Sequence, residues 1–307
     1  MRHRRTFTTL GLIAIACVLG VWSQAEHWRP ATYLARASDA LWRLAGRRRL
    51  PPAAEDDAFG RPPVACPAGG ERTMVALVFG QSQAANVVRE QFVGGGHVFN
   101  YFRGRCYAAT DPLLGTGGDG GNVWTLIGTE LVEQKQFEAV VLVTIAIGGT
   151  SIAQWGPGGN LHAHLMSAVD AVGPALSYTH VFIQQGETDL LEHTTAEDYS
   201  RRFAEMIAAL RQSGVDAPIF VAIETGYCDG RWTPPKPNNP IAEAQRRLIA
   251  AHDGLYFGAD MDAALNSASD RYDGCHMSGT GARKLARLWT QAIAAPVPGA
   301  QPRSERR

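Results

Sequence analysis

The first residue that could perform chemistry is Ser82, which follows a pattern typical of a buried strand. The apolar run Val75–Phe79 ends at Gly80, and small residues suited to opening a helix come after the serine. A short apolar run bounded by glycine predicts a buried strand, so Ser82 is expected just past its carboxyl end, where open α/β sheets bind ligands. A serine there is either a nucleophile or the cap of the following helix.

A second candidate is the pair Asp273 and His276, which lies just before the last predicted helix. If the backbone curls there, the carboxylate can hold the imidazole Nδ1–H and leave Nε2 free as a general base toward a serine. This spacing is common by chance. Its combination with Ser82 after the first strand is much rarer, and it indicates nucleophilic catalysis.

Strand-like and helix-like runs alternate through the middle of the chain. The expected strands are Val75–Phe79, Val98–Phe102, Ala139–Ile145, His180–Ile183 and Pro218–Ile223. The expected helices are Val123–Gln136, Leu161–Leu176, Ala196–Gln212, Ile241–Ala251 and Gly281–Ala294. Continuous apolar strands alternating with helices predict a parallel sheet covered on both faces. We therefore expect an α/β fold, a three-layer α/β/α sandwich with a five-stranded parallel sheet and flavodoxin-like topology.

Four motifs in this order resemble those of a known superfamily. They are GQSQ at Gly80–Gln83, GGTSIAQW at Gly148–Trp155, QQGETD at Gln184–Asp189 and DGCHMSGTG at Asp273–Gly281. The set resembles the SGNH hydrolases, specifically their sialate O-acetylesterase and carbohydrate esterase family six branch. The resemblance spans roughly residues 74–289, which is nearly the whole expected folded domain.

The resemblance implies a serine esterase in which Ser82 is the nucleophile, His276 the general base and Asp273 its orienting partner. It also implies an oxyanion hole made of the Ser82 amide, a backbone amide of the glycine-rich loop and a side-chain amide. By the same resemblance the loop donor is Gly121, chosen over Gly120, and the side-chain donor is Gln185, which stands where the wider superfamily has asparagine. An uncharged amide of this kind stabilises a developing oxyanion without being neutralised by it.

Three further residues of these motifs are candidates for substrate contacts. Gln83 stands where this branch usually has asparagine, and its longer side chain could alter the geometry of the turn. Trp155 is either a platform for a sugar or packing for the Gly148 loop. Glu187, like Asp189, either binds substrate or fixes its own loop through hydrogen bonds to backbone amides.

Composition and missing motifs argue against several other classes of protein. Lys+Arg and Asp+Glu number 29 each, so no global field favours nucleic acid. The sequence has no CxxC, and its glycine-rich loop lacks the Gly-Lys-Ser/Thr of a phosphate cradle. His162 and His164 diverge on a helix, which argues against a metal pair. We therefore expect no metal, no cofactor and no nucleic-acid partner.

The amino terminus predicts export. A basic start, an apolar run over Leu10–Trp22 and the small-x-small pattern Ser23–Ala25 indicate a signal peptide or an uncleaved signal anchor in residues 1–25. An amphipathic helix and a Pro/Ala-rich linker are expected in 26–65, the esterase domain in 66–295 and a disordered tail in 296–307. The body of the protein would be periplasmic or secreted, and an uncleaved segment would tether it to the inner membrane.

Four cysteines remain if the signal is removed, namely Cys66, Cys106, Cys228 and Cys275. In an oxidising compartment they permit two disulfides with three possible connectivities. We favour Cys66–Cys106 and Cys228–Cys275, because each pair lies where adjacent loops could meet.

Together these expectations describe an exported esterase that removes O-acetyl groups from a carbohydrate, or cleaves another small ester, through an acyl-enzyme. Two alternatives stay open. A membrane-tethered acetyltransferase could use the same triad to acetylate a surface polysaccharide, and a non-catalytic polysaccharide-binding protein could retain the fold.

Overall fold

Seven strands form one sheet at the centre of the fold in the computed structural model, which describes residues 58, 60–173, 175–226 and 239–295. In chain order they are β1 (Thr73–Gly80), β2 (Val98–Phe102), β3 (Arg105–Ala108), β4 (Ala139–Ala146), β5 (His180–Gln184), β6 (Ile219–Ile223) and β7 (Leu255–Asp260). Their order across the sheet is β3-β2-β4-β1-β5-β6-β7. All neighbouring strands are parallel except β2 and β3.

Helices connect these strands, and short 3-10 turns follow several of them. Within the described residues the helices are α1 (Val123–Glu133), α2 (His162–Asp170), α3 (Glu187–Leu191), α4 (Ala196–Gln212), α5 (Pro240–Ala251), α6 (Met261–Ala264) and α7 (Gly279–Ala294). The 3-10 turns are Ser82–Ala84, Ile152–Gln154 and Ala268–Asp270. The α2 helix ends at Asp170, before the expected end at Leu176, and the other long helices lie close to their expected positions.

Two apolar cores cover the two faces of the sheet, because successive side chains of a strand point to opposite faces. Along β1, Ala76 and Val78 pack in the core that contains α1 and α7. Leu77 and Phe79 pack in the other core, with α2, α4 and α5. This arrangement confirms the predicted three-layer α/β/α class.

The five expected strands are all present, but the sheet has seven strands rather than five. The sequence RCYA of β3 mixes polar and apolar residues in an antiparallel edge strand. The β7 strand lies at the other edge and leaves Phe257 exposed. Neither β3 nor β7 therefore has the sequence of a buried apolar run. In a flavodoxin-like sheet the second strand lies beside the first, whereas here β4 lies between β1 and β2.

The chain changes direction across the sheet between β1 and β5. After β1 it continues to β2 on one side, and after β5 it continues to β6 on the other. Open α/β sheets bind ligands in the crevice at such a switch point. Gly80 and Gln184 are register partners at the ends of these strands, so the motifs that follow them share one crevice.

The predicted signal segment 1–25, the tail 296–307 and most of the linker 26–65 lie outside the described residues. No helix in the described part of the chain is long and apolar enough to cross a membrane. The expected disulfide Cys66–Cys106 is present. Cys275 is also disulfide-bonded, and its expected partner Cys228 lies outside the described residues.

Candidate active site

The GQSQ motif forms a turn whose first position, Gly80, has room only for glycine. Gly80 has φ of +142°, and a Cβ there would lie 1.9 Å from the carbonyl oxygen of Gln184 on β5. Because glycine lacks that atom, β1 can end directly against β5, and a 3-10 turn then begins at Ser82. Ser82 is 8% exposed. Neither its hydroxyl nor its amide donates a hydrogen bond to another described residue, and the catalytic hydrogen bonds of enzymes without substrate are often long.

Asp273 and His276 meet as predicted. The imidazole Nδ1 lies 2.7 Å from Asp273 Oδ2, and the amides of His276 and Cys275 donate to Asp273 Oδ1 at 2.6 and 2.9 Å. Burial raises the pKa of Asp273, but these hydrogen bonds and the nearby imidazole outweigh it and lower the pKa to about 2. An ionised carboxylate therefore holds the Nδ1–H and leaves Nε2 as the acceptor. His276 is 25% exposed, so a ligand in the crevice can reach it.

Side-chain contacts tie the Ser82 turn to the His276 turn. Gln83, next to Ser82, donates through Nε2 to the carbonyl oxygen of Cys275 at 3.0 Å. The guanidinium of Arg271 donates to the same carbonyl. Residues adjacent to each of the two candidate groups are thus in direct contact. Gln83 itself is fully buried and is not a substrate contact, which corrects the prediction.

Glu187 lies beneath both turns. Its carboxylate accepts hydrogen bonds from Gln81 at 2.7 Å and from Gln83 at 3.2 Å, and it lies 3.9 Å from Arg271. Burial raises the pKa of Glu187 to about 7, against the lowering effect of Arg271, His276 and Gln83. With 1% of its surface exposed, Glu187 fixes the loops and does not contact substrate. The burial and hydrogen bonds of Glu187 favour the loop-fixing alternative.

The Gly148 loop packs against the Ser82 turn. A Cβ built on Gly148 would lie 3.4 Å from the Cβ of Ser82. The carboxylate of Asp189 holds this loop by accepting hydrogen bonds from the amide of Ile152 at 3.1 and 3.0 Å. Asp189 therefore fixes the loop, as expected of a buried carboxylate with backbone partners.

Trp155 packs inside this loop and offers no surface to a sugar, so of its two alternatives the structure favours packing. Its side chain is 0% exposed, and its ring lies 5.7 Å from that of Phe79 on β1. The indole Nε1 donates to the hydroxyl of Thr150 at 3.1 Å, so both the apolar and the polar part of the side chain are satisfied inside the fold.

The two oxyanion donors assigned beyond Ser82 are engaged elsewhere. The amide of Gly121 donates to the carbonyl of Val88 at 2.7 Å, in an isolated bridge that closes the glycine-rich loop. The side-chain amide of Gln185 is 2% exposed and donates within the loops. Its acceptors are Gln81 Oε1 at 3.2 Å, the Thr150 carbonyl at 2.6 Å and Asp189 Oδ2 at 2.9 Å. Both assignments are therefore corrected.

Two residues that organise the site were not singled out from the sequence. Gln81 accepts hydrogen bonds from the amides of Gly186 and Thr188, and it donates to Glu187. The two glutamines that flank Ser82 were a usable signal. The sequence held no comparable signal for Arg271, because the side chain of a single basic residue in a loop usually points to solvent. No group of three potential metal ligands occurs among the described residues.

The fold is similar to that of several solved structures. A protein of Arabidopsis thaliana has a TM-score of 0.54 at 16% identity, over 76% of this chain and 98% of that one. NanS has a TM-score of 0.53 at 18% identity, over 73% of this chain and 97% of its own. XAC1771, a carbohydrate acetylesterase from Xanthomonas citri, has a TM-score of 0.50 at 16% identity, over 74% of this chain and 57% of that one. At such low sequence identities, these structural matches show a shared fold and nothing further.

Comparison with curated protein sequences gives no match. A family model does match, over residues 120–294, and it is described as carbohydrate esterase, sialic acid-specific acetylesterase. The matched residues contain the motifs around Glu187 and His276 and begin after Ser82. Because the match covers more than half of the sequence, this chain belongs to the carbohydrate esterase family of sialic acid-specific acetylesterases.

Proposed function

We propose that this member of a carboxylic ester hydrolase family is a serine esterase that removes O-acetyl groups from a carbohydrate. In this proposal Ser82 is the nucleophile, His276 the general base and Asp273 its orienting partner. The observation that carries the proposal is the 2.7 Å contact between Asp273 Oδ2 and His276 Nδ1, on a turn joined to the Ser82 turn. An ionised carboxylate in this place fixes the tautomer that a general base needs.

The proposed reaction has two halves that share one base. Ser82 Oγ attacks the acetyl carbonyl carbon while its proton passes to His276 Nε2. The carbon–oxygen bond to the sugar then breaks, and His276 returns the proton to the sugar oxygen, which leaves an acetyl ester on Ser82. In the second half a water molecule gives its proton to His276 and attacks that ester. Acetate leaves and the serine regains its proton.

The proposed oxyanion hole uses backbone amides next to the nucleophile. One donor is the Ser82 amide at the start of the 3-10 turn, which has no acceptor among the described residues. The other is the amide of Gly148, which is exposed beside Ser82 and likewise has no acceptor within the described residues. Removal of one such donor typically slows an enzyme by about 10²- to 10³-fold.

We also propose that the protein is exported. The pattern of residues 1–25 and the disulfide Cys66–Cys106 support an oxidising compartment. Amino-terminal sequencing of the protein from a membrane fraction and from a soluble extracytoplasmic fraction tests this. A new amino terminus near residue 26 indicates a cleaved signal, an intact one in the membrane fraction indicates an anchor, and recovery in the cytoplasm contradicts export.

The experiment for the reaction compares wild type with Ser82→Ala and with Ser167→Ala, an exposed serine on α2. Hydrolysis of p-nitrophenyl acetate and of O-acetylated sugars is measured for all three. We expect activity in wild type and Ser167→Ala and a loss of at least about 10³-fold in Ser82→Ala. Acetyl transfer to a sugar that exceeds hydrolysis would identify an acetyltransferase. Binding of acetylated polysaccharide without any turnover would identify a binding protein.

A further inference from the structure

Tyr272 is an exposed aromatic side chain next to the proposed base. It is 43% exposed, and its ring centroid lies 6.2 Å from that of the His276 imidazole, with the planes tilted by 31°. Its amide donates to the carbonyl of His276 at 3.0 Å. The same turn therefore fixes the phenol ring and the Asp273–His276 pair relative to each other.

Recognition of a sugar needs side chains that a sugar can touch. Trp155 and Gln83 are 0% exposed and Glu187 is 1% exposed, so these three candidates cannot provide a binding surface. Among the described residues, two aromatic side chains are more than a third exposed, Tyr272 and Phe257. Phe257 lies within the edge strand β7, away from the carboxyl end of β1. Within the described part of the chain, Tyr272 is thus the exposed aromatic side chain beside the candidate base.

We propose that Tyr272 is the sugar-binding platform of this esterase and packs against the pyranose ring that carries the acetyl group. The inference rests on the proposed function, because it takes His276 as the group that protonates the sugar oxygen. That oxygen must lie beside His276 Nε2, and the ring attached to it then lies within reach of a phenol 6.2 Å from the imidazole.

The chemistry of the two surfaces is complementary. A pyranose ring presents C–H groups on its faces and hydroxyl groups around its edge. A phenol ring has an apolar face and one polar group at its edge. Packing face against face removes apolar surface from water and leaves the sugar hydroxyls hydrated. The substrate class this predicts is an acetylated pyranoside, rather than an ester of a simple alkyl alcohol.

The test compares an acetylated sugar with an acetyl ester that has no ring. Fully O-acetylated methyl glycosides of glucose, xylose and N-acetylneuraminic acid are the sugar substrates, and ethyl acetate, followed by pH-stat, is the ring-free ester. We expect Tyr272→Ala to lower kcat/KM for the sugar esters by about 2- to 12-fold, mainly through KM, the range expected of an aromatic contact. Activity on ethyl acetate should stay within about twofold.

Two further variants separate stacking from a structural effect. Tyr272→Phe keeps the ring and should retain the activity on sugars, and Phe257→Ala removes an exposed aromatic elsewhere and should change neither substrate. An equal loss on ethyl acetate and on the sugars in Tyr272→Ala would mean that the ring only positions His276, which would overturn the proposal. Unchanged kinetics on the sugars would overturn it as well.

A binding measurement keeps this inference distinct from the proposed reaction. Saturation-transfer NMR of the same three glycosides is recorded with Ser82→Ala and with Ser82→Ala/Tyr272→Ala. Transfer to the ring C–H protons that falls in the double variant, with a Kd about 2- to 12-fold higher by titration, supports the platform even if wild type hydrolyses nothing. Equal transfer to both variants, or no binding of any glycoside to Ser82→Ala, contradicts it. The fold of each variant is checked by circular dichroism.

Discussion

The side-chain amide of Gln83 donates a hydrogen bond to the carbonyl oxygen of Cys275 at 3.0 Å, across a sequence separation of 192 residues. Gln83 follows the proposed nucleophile Ser82, and Cys275 precedes the proposed base His276. Both residues are buried, so water does not compete for this bond. The relative position of nucleophile and base therefore depends on a contact between their neighbours.

Shortening this side chain should weaken catalysis more than it weakens the fold. In Gln83→Asn the amide is one methylene shorter and cannot span to both Glu187 and Cys275. We expect kcat on p-nitrophenyl acetate to fall by about tenfold or more, because small misplacements of reacting groups are costly. The free energy of unfolding in urea should fall by about 1–3 kcal/mol. The control is Gln212→Ala on the exposed face of α4, and an unchanged kcat in Gln83→Asn would contradict this role.

Loss of the negative charge at Asp273 should nearly abolish activity without unfolding the protein. An amide in this place can turn its NH2 toward Nδ1 and favour the wrong tautomer, so we expect Asp273→Asn to lower kcat by about 10²- to 10⁴-fold. Asp253→Asn, an exposed position, is the matched control. Because the pKa of Asp273 is about 2, this carboxylate should stay ionised through the range in which activity is measured. A kcat within threefold of wild type would exclude the orienting role.

The sequence predicted those parts of the fold that depend on local patterns. β1, β4 and β5 are continuous apolar runs because both of their faces are buried, and their limits were close to correct. β3 and β7 lie at the edges of the sheet, and their mixture of polar and apolar residues does not stand out in the sequence as a strand. The Asp273–His276 contact was also predictable, because a short turn brings its two members together.

The corrected assignments depend on partners far away in the chain. The Gly121 amide donates its hydrogen bond to the carbonyl of Val88, and only the folded loop shows that pairing. Gln185 has the right side chain for an oxyanion donor, but its amide donates to Gln81 and Thr150 from two other segments and to Asp189 in its own motif. Local sequence gives the type of a side chain at the sheet edge, whereas its direction is decided by the tertiary hydrogen bonds.

The buried carboxyl of Glu187 should make stability depend on pH. Burial raises its pKa to about 7 from the usual value near 4.5, so the folded state holds a proton that the unfolded state has lost between these values. This contribution to stability is fully present below about pH 4.5 and is lost as pH rises through 7. Urea unfolding of wild type and Glu187→Gln from pH 4.5 to 8 measures it.

In that comparison the wild type should lose stability relative to Glu187→Gln as the pH rises. The glutamine does not titrate, so the difference between the two proteins reports the titration of Glu187 together with its effect on the buried Glu224, whose pKa Glu187 helps to raise. A difference that is constant with pH would contradict a raised pKa. Glu197→Gln, at the start of α4 and exposed, should show the same pH profile as wild type.

Replacing Trp155 should affect stability and not sugar recognition. Its side chain is fully buried against Phe79 and bonded to Thr150. We expect Trp155→Ala to lower the free energy of unfolding by about 3–5 kcal/mol, and Trp155→Phe by less. In the folded fraction of Trp155→Phe the KM for an acetylated sugar should stay within about twofold of wild type. A large rise in KM without loss of stability would instead support Trp155 as the platform for a sugar.

Covalent labelling of Ser82 tests directly whether this serine is the nucleophile. Wild type, Ser82→Ala and Ser167→Ala are treated with a fluorophosphonate and examined by intact mass and by peptide mapping, with and without a competing acetyl ester. We expect one adduct per chain at Ser82 in wild type and Ser167→Ala, formed more slowly when the ester competes, and none in Ser82→Ala. No adduct in folded, ester-hydrolysing wild type, or an adduct that persists in Ser82→Ala, would contradict a serine acyl-enzyme at this position.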